Sequence, residues 1–149
     1  FNRFGSDQIE VLFSANKGIK YAPLFKIASG GELSRILLSI KSILSKHLNL
    51  PTMIFDEIDS GVSGEMSNSM ANMMLEMSSK MQIIAITHLP QVAAKGNQQL
   101  NVYKQNSISS TSTMFKQLNK QERIDEISKM LAGDLISESA VTHAKELLN

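Results

Sequence analysis

Two helical patterns alternate with two short apolar runs between residues 33 and 87, and this alternation is the strongest constraint on the fold. A helical stripe over Leu33–Lys46 precedes the run Thr52–Phe55 (TMIF). A second stripe over Glu65–Met81 precedes the run Gln82–Thr87 (QIIAIT). Short runs without polar alternation are typical of parallel strands that are buried on both faces. The sequence therefore predicts an α/β fold, with a mostly parallel sheet and flanking helices.

Polar residues with catalytic potential follow both apolar runs. Asp56 and Glu57 come directly after the first run, and Thr87 and His88 close the second. In parallel sheets, ligands gather at the carboxyl ends of the strands. One carboxylate there can hold a hydrated Mg²⁺ that also contacts nucleotide phosphates, and a second can deprotonate a water molecule. Judged from the residues alone, solvated loop acids and a surface histidine remain the alternatives.

The first helical stripe opens with Ser29-Gly30-Gly31-Glu32. Ser29 and Glu32 fit the capping box, in which each side chain satisfies a backbone N–H of the other residue. Capping does not explain two adjacent glycines, which weaken a helix and are useful where a ligand must approach the backbone. Because bare N–H groups at a helix N-terminus attract anions, the stretch has two interpretations, a helix cap and a phosphate site.

The flanking segments predict smaller elements on either side of this α/β region. Strands are predicted at Gln8–Ser14 and Tyr21–Ile27, around a turn at Asn16–Gly18. Further along, a β-hairpin is predicted around Ser107–Thr113, followed by amphipathic helices. These later elements are the strands Leu100–Lys104 and Thr111–Leu118 and the helices Leu89–Lys95, Glu122–Leu131 and Glu138–Leu148.

Composition excludes several kinds of protein. The 149 residues include no cysteine, which excludes a disulfide framework and a thiolate metal site. No apolar run approaches the roughly 20 residues that a membrane-spanning helix needs. The net charge is only +1, and the basic bias of residues 1–50 is too weak to predict DNA binding by itself. The methionines of residues 66–81 have helical spacing and are predicted to pack in a core. His47 and His143 lie beside no other candidate functional residue, so no functional role is predicted for them.

The order of these motifs resembles the second half of an ABC-type ATPase head. SGGE resembles the signature motif, TMIFDE resembles Walker B, Asp59 resembles the D-loop residue and His88 resembles the switch histidine. SGGE in place of SGGQ is similar to the SMC branch of these ATPases. Longer strings resemble the RecN family of SMC-like bacterial DNA-repair ATPases over nearly the whole chain. They are KIASGGELSR at 26–35, IFDEIDSGVSG at 54–64, AITHLPQVAAKGN at 85–97, ERIDEISKMLAG at 122–133 and THAKELL at 142–148.

The resemblance implies a role for each motif and names ATP and Mg²⁺ as cofactors. Asp56 would hold Mg²⁺ through water, Glu57 would be the catalytic base, and His88 would sense the γ-phosphate. Asp59 would communicate between two heads. The signature motif would contact, in trans, the γ-phosphate of an ATP that a second head holds. Its residues are Ser29, Gly30, Gly31 and Glu32.

The resemblance also implies partners. The phosphate loop of the family, G-x-x-x-x-G-K-S/T (Walker A), does not occur in this sequence. The family carries that loop in an N-terminal half, which a long coiled coil separates from the C-terminal half. Residues 1–149, which start abruptly at Phe1, are therefore expected to be a fragment, the C-terminal lobe of a head, without ATPase activity of its own. The expected partners are the N-terminal half, a second head in an ATP-dependent homodimer and, through the full-length protein, DNA.

Other functions stay open beside this one. A membrane-transport engine would carry SGGQ and membrane-spanning partners, so a cytoplasmic, nucleoid-associated protein without a membrane partner is expected instead. The lobe could also belong to another SMC-like ATPase, or act as a non-catalytic interaction module. Against the last alternative, Asp56, Glu57 and His88 are all intact. Lysines that could contact DNA are present but unassigned; they are Lys17, Lys20, Lys26 and Lys41.

Overall fold

A computed structural model describes residues 3, 5–7, 9–14, 16–59, 61–62, 64–106 and 110–149. Within these residues, helices alternate with short strands, as the sequence predicts. In chain order the elements are β1 (Leu12–Phe13), β2 (Ala22–Pro23), α1 (Leu24–Ile27), α2 (Gly30–His47), β3 (Thr52–Asp56), α3 (Gly64–Ser78), β4 (Gln82–Ile86), α4 (Pro90–Lys95), β5 (Leu100–Asn106), β6 (Thr111–Gln117), α5 (Lys120–Ala132) and α6 (Glu138–Leu148). No described helix is long and apolar enough to cross a membrane.

Strands β3 and β4 pair in parallel, with helix α3 as the connection between them. Their register runs from Thr52 opposite Gln82 to Asp56 opposite Ile86. This pair confirms the predicted α/β fold and its parallel strands. The parallel arrangement is confined to these two strands in the described part of the chain, where β1–β2 and β5–β6 are antiparallel pairs. The sheet is therefore less extensively parallel than the sequence predicts.

The prediction that both apolar strands are buried on both faces is wrong. Phe55 is 1% exposed on one face of β3, whereas its neighbour Ile54 is 57% exposed on the other. Ile84 and Ile86 of β4 are also exposed. The pattern fails because an apolar run reveals the composition of both faces of a strand, but not whether a second layer covers each face. Here the core lies on only one face of the pair.

Helix α3 supplies most of that core through its methionines. Met70, Met74 and Met77 are buried in one cluster with Phe55 of β3 and Leu38 of α2. Methionine is flexible and fills irregular space between a helix and a sheet well. The prediction that the methionines of residues 66–81 pack in a core is confirmed for Met70, Met74, Met77 and Met81, and it is wrong for Met66, which is 42% exposed.

A second, smaller core joins α4, α5 and α6. Ile127 and Ala144 are fully buried in it. Arg123 of α5 strengthens the junction, because its Nη2 donates hydrogen bonds to the carbonyl oxygens of Ala94, at 3.1 Å, and Gly96, at 2.7 Å. A cation at this position also suits the negative end of α4. The predicted helices of this region are confirmed, with bounds that differ by a few residues.

The predicted β-hairpin is confirmed by the antiparallel pair β5–β6, whose register runs from Leu100 opposite Gln117 to Asn106 opposite Thr111. Part of the predicted turn, residues 107–109, lies outside the described residues. The hairpin leads directly into α5, since the Leu118 N–H donates to the Gln99 carbonyl oxygen at 2.9 Å.

The N-terminal segment differs from the sequence prediction. The strand expected over residues 8–14 is confined to Leu12–Phe13, and Gln8 lies outside the described residues. The second extended segment is wrong from residue 24 onward, because Leu24–Ile27 form a helical turn. Pro23 precedes this turn with a φ of −53°, and the side chain of Leu24 is buried. Burial of Leu24 therefore overrides the extended preference.

Replacement of Phe55 by alanine is expected to destabilise the chain by about 3–5 kcal/mol, because it removes a large side chain from a filled core. The matched control is Ile54→Ala, one residue away on the exposed face, which is expected to change the free energy of unfolding by less than about 1 kcal/mol. Urea unfolding of both variants measures the difference. Equal losses would contradict the one-sided core.

Candidate functional site

The N-terminus of α2 is held by a complete capping box. Ser29 is the N-cap residue, and its Oγ accepts a hydrogen bond from the Glu32 N–H at 3.3 Å. The Glu32 carboxylate in turn accepts from both the N–H and the Oγ of Ser29, each at 2.8 Å. The capping prediction is confirmed, and the helix begins at Gly30, before the predicted Leu33.

Capping leaves Gly30 unexplained. Gly30 does not have a positive φ, and a Cβ added to it would meet no atom within 4 Å. Neither the backbone conformation nor the packing of this chain therefore requires glycine there. In the first turn of a helix, N–H groups such as those of Gly30 and Gly31 have no acceptor within the helix. The structure thus leaves open space beside Gly30, next to donors that the helix does not satisfy, and such donors attract anions.

Glu32 places a negative charge at the same helix end. The backbone hydrogen bond from Ser29, followed by the hydrogen bond from the Ser29 side chain, lowers the pKa of the Glu32 carboxyl group below its ordinary value of 4.5. Glu32 is therefore a carboxylate at neutral pH. Its charge complements the positive end of the helix dipole, and it would also oppose a second anion nearby.

The parallel pair brings the other candidate residues together at one edge of the sheet. Asp56 ends β3 opposite Ile86, and both carboxylates of the Asp56–Glu57 pair are exposed. The Glu57 N–H donates to the Ile86 carbonyl oxygen at 3.1 Å, so the ladder continues one residue beyond β3. Glu57 has a φ of 45°, in the left-handed region that non-glycine residues rarely occupy. Strained residues of this kind cluster at functional sites, so the conformation of Glu57 supports its place among the candidate functional residues.

Asp59 contacts the residues that follow β4. Its side chain is 2% exposed. Oδ2 accepts hydrogen bonds from the Thr87 hydroxyl group and from the His88 N–H, the latter at 3.2 Å. Oδ1 lies 3.4 Å from Nδ1 of His88, whose side chain is 63% exposed. Asp59 therefore joins the loop after β3 to the loop after β4.

The contribution of Thr87 was not apparent from the sequence. Its Oγ1 donates to Asp59 and also accepts a hydrogen bond from the Leu89 N–H at 3.0 Å, just before α4 begins. The only sequence signal for this role is its position beside His88 at a strand end. Proximity in the sequence could not reveal that the partner is an aspartate 28 residues earlier.

The candidate residues form two separate groups in the described structure. One group is the capped start of α2, from Ser29 to Glu32, and the other is the strand-end group of Asp56, Glu57, Asp59 and His88. No hydrogen bond or ion pair between described residues links the two groups.

The strand-end group is compatible with Mg²⁺ bound together with phosphate. Among the described residues, no cluster of three or more His, Cys, Asp or Glu side chains could enclose a metal ion. Mg²⁺ is usually held by one or two carboxylates, water and substrate phosphates, so it needs no such cluster. The exposed carboxylate of Asp56 offers the hard oxygen ligand that this ion prefers.

Comparison with known proteins decides the family. The chain is 44% identical over 144 residues to the DNA repair protein RecN of Bacillus subtilis, and the match covers 97% of the chain. It is 42% identical over 145 residues to RecN of Treponema pallidum and 40% identical over 144 residues to RecN of Vibrio cholerae, again over 97% of the chain. The chain is a RecN-family segment. It spans about a quarter of the length of these curated relatives, 25–26%. No protein-family model matches it.

Solved structures support the fold of this RecN-family segment. A structure from work on ATP-driven dimerization and DNA stimulated activation of SMC ATPases aligns with a TM-score of 0.56 and 18% identity, over 79% of the chain and 70% of that structure. The Smc head domain with a coiled coil and joint from Pyrococcus yayanosii aligns with a TM-score of 0.63 and 19% identity, over 74% of the chain and 20% of that structure. At this identity the likeness concerns the fold, and it confirms the predicted SMC-head architecture.

Removal of the Ser29 hydroxyl group by Ser29→Ala is expected to raise the pKa of Glu32 toward 4.5. In the intact chain the lowered pKa means that the Glu32 carboxylate stabilises the fold above about pH 4.5, and that this contribution is lost as the pH falls through the lower folded-state pKa. An NMR titration of the Glu32 carboxyl carbon measures the shift. Ser39→Ala on the same helix is the control, and an unchanged Glu32 midpoint in Ser29→Ala would contradict the capping contribution.

Proposed function

We propose that this RecN-family segment is the C-terminal lobe of an ATPase head in a DNA-repair protein. The lobe supplies Walker B, the switch histidine and the D-loop residue to one nucleotide site, and the signature motif to the site of a second head. The observation that carries the proposal is the junction of β3 and β4, where the Glu57 N–H is bonded to Ile86 and Asp59 is bonded to Thr87 and His88. These bonds gather the proposed catalytic residues at one sheet edge.

Asp56 and Glu57 have separate tasks in this proposal. Asp56 holds Mg²⁺ through water, and the ion supplies positive charge to neutralise the phosphates of ATP. Glu57 accepts a proton from the attacking water. The positive φ of Glu57 ends the extended conformation of β3 directly after Asp56, while its N–H stays bonded to Ile86.

The signature stretch acts on the ATP of the opposite head. The absence of a side chain at Gly30 leaves the space beside its Cα open, and the unsatisfied N–H groups of the first turn can donate to a γ-phosphate oxygen. The Ser29 hydroxyl group already donates to Glu32, so its contact with phosphate requires that this hydrogen bond be shared or exchanged. Glu32 makes the surface less attractive to anions in general, so the site favours a phosphate whose charge Mg²⁺ partly neutralises.

His88 senses the γ-phosphate, and Asp59 links the site to the dimer. Because the Asp59 carboxylate is buried beneath His88, it cannot itself reach a second head. Communication across the dimer therefore passes through the main chain of the loop that Asp59 anchors, including the Val62 N–H, which donates to the Asp59 carbonyl oxygen at 3.2 Å.

The exposed face of the β3–β4 pair is the proposed docking surface for the N-terminal half of the head, which carries the phosphate loop. Ile54 and Ile84 are register partners, so their side chains lie side by side on this face, and Ile86 continues it. Exposed apolar side chains in one contiguous patch are typical of interaction surfaces. Coverage by the other half would bury these side chains.

The remaining assignments concern the full-length protein. ATP joins two heads as a homodimer, and hydrolysis releases them. DNA is contacted through the full-length protein, which works in the bacterial cytoplasm at the nucleoid and takes part in DNA repair and recombination. The name of the relatives, DNA repair protein RecN, supports the role in DNA repair.

Mixing this chain with the phosphate-loop half is expected to produce ATPase activity, while this chain alone produces none because it lacks the main grip on the β- and γ-phosphates. Glu57→Gln is expected to reduce hydrolysis by about 10²–10⁴-fold, the usual contribution of general base catalysis, and to preserve ATP-dependent head dimers. The measurements are phosphate release and sedimentation of the mixture.

Glu65→Gln, which neutralises another exposed glutamate at the start of α3, is the matched control and should leave hydrolysis unchanged. Turnover by this chain alone that depends on Glu57 would reveal a complete nucleotide site here and would refute the split-head proposal. Full activity of Glu57→Gln in the mixture would refute the role of Glu57 as the base.

Ile84→Asp is expected to weaken binding to the phosphate-loop half by at least about tenfold, since a loss of only 1.4 kcal/mol gives that factor and a buried unpaired carboxylate costs more. Leu135→Asp, in the loop between α5 and α6 where the side chain is exposed, is the control. Calorimetric titration compares the two variants. Equal affinities for both would place the interface elsewhere.

A further inference from the structure

Asp59 is unusual among the ionisable residues of this fold. Within the described residues it is the one ionisable side chain that is buried. A buried carboxylate is expensive unless hydrogen bonds satisfy its oxygens. Oδ2 is satisfied twice, by Thr87 and by the His88 N–H. Oδ1 is buried and receives no hydrogen bond from a described residue.

The atom placed to satisfy Oδ1 is Nδ1 of His88, which lies 3.4 Å away. A ring nitrogen at this distance can close the hydrogen bond after a small rotation of the imidazole, provided that it carries the proton. If Nδ1 instead presented its lone pair, it would face a carboxylate oxygen, and the two would repel each other. The hydrogen bond that one ring nitrogen makes decides which tautomer a histidine adopts.

We infer that Asp59 is a positioning residue that holds a proton on Nδ1 of His88 and so directs Nε2, on the far side of the ring, outward from the fold. Because the same carboxylate fixes the His88 N–H and the Thr87 hydroxyl group, the ring and its main chain are oriented by one group. This inference rests on the proposed function, in which the outward side of His88 meets the γ-phosphate. The inference means that Asp59 acts on His88 of its own lobe.

The first test is the tautomer of His88 in the 149-residue chain, read from the ¹⁵N chemical shifts of the imidazole nitrogens by long-range ¹H–¹⁵N NMR. The chain has three histidines, and His47 and His143 are exposed, so they serve as internal references. His88→Gln identifies the resonances of His88. The expected result is protonation of Nδ1 in neutral His88, unlike the two references. A His88 spectrum like theirs would overturn the inference without the need for any Asp59 variant.

Asp59→Asn is the matched substitution, since it keeps the shape of the side chain and removes its charge. His88 in this variant is expected to lose its preference for Nδ1 and to approach the reference histidines, while backbone amide spectra confirm that the fold is intact. Retention of the Nδ1 proton in folded Asp59→Asn would overturn the inference.

A double-mutant cycle in the assembled ATPase separates positioning from general structural support. Asp59→Asn alone is expected to lower kcat by about 10–100-fold, as the loss of partners that orient metal-bound histidines does. In a His88→Gln background the same change is expected to have little further effect, because Asp59 acts through His88. Additive losses would contradict this. If His88 has the Nδ1 tautomer but the assembled protein shows no ATPase activity, only the proposed function is refuted. If the assembled protein hydrolyses ATP but the His88 tautomer does not depend on Asp59, only the positioning role is refuted.

Discussion

The packing of β3 against the methionine face of α3 is the interaction on which the rest of this structure depends. Phe55 of β3 is buried among Met70, Met74 and Met77, with the Nζ of Lys41 over its ring at 4.9 Å from the centroid. This contact fixes the crossover from β3 to β4, which in turn fixes the parallel register. The register then places the ends of both strands, and their loops, side by side. The candidate site thus depends on the core packing of Phe55, the residue directly before Asp56.

The same packing leaves one apolar face of the β3–β4 pair exposed in the described structure. A parallel pair that is covered on one face exposes the apolar side chains of the other, here Ile54, Ile84 and Ile86. Isolated two-stranded sheets have little stability in water, and exposed strand edges invite pairing with another chain. A second layer over the exposed face would bury these side chains, and a further strand at an edge would pair its backbone groups, so both features of the described sheet favour a partner.

Much of the fold was predictable because its signals are local. The capping box at Ser29 and Glu32, the methionine spacing of α3 and the polar residues after each strand all act over a few residues, and all three appear in the structure. Three features were not predictable. The one-sided burial of β3 depends on which layers surround it, the helical turn at Leu24–Ile27 depends on burial of Leu24, and the Asp59–Thr87 contact joins residues 28 positions apart. Each is set by tertiary packing, about which a local pattern carries no information.

Hydrogen bonds at the ends of β3 and β4 hold the loops that follow these two strands together. Two links cross this junction: the Glu57 N–H to Ile86 bond, which holds a main chain in the left-handed region, and the Asp59 carboxylate, which binds Thr87 and His88. A strained residue keeps its conformation only where surrounding contacts over-determine it, and these links do so. Any displacement of His88 would therefore act on Asp59 and, through the main chain, on the end of β3, because a single buried aspartate joins the two loops.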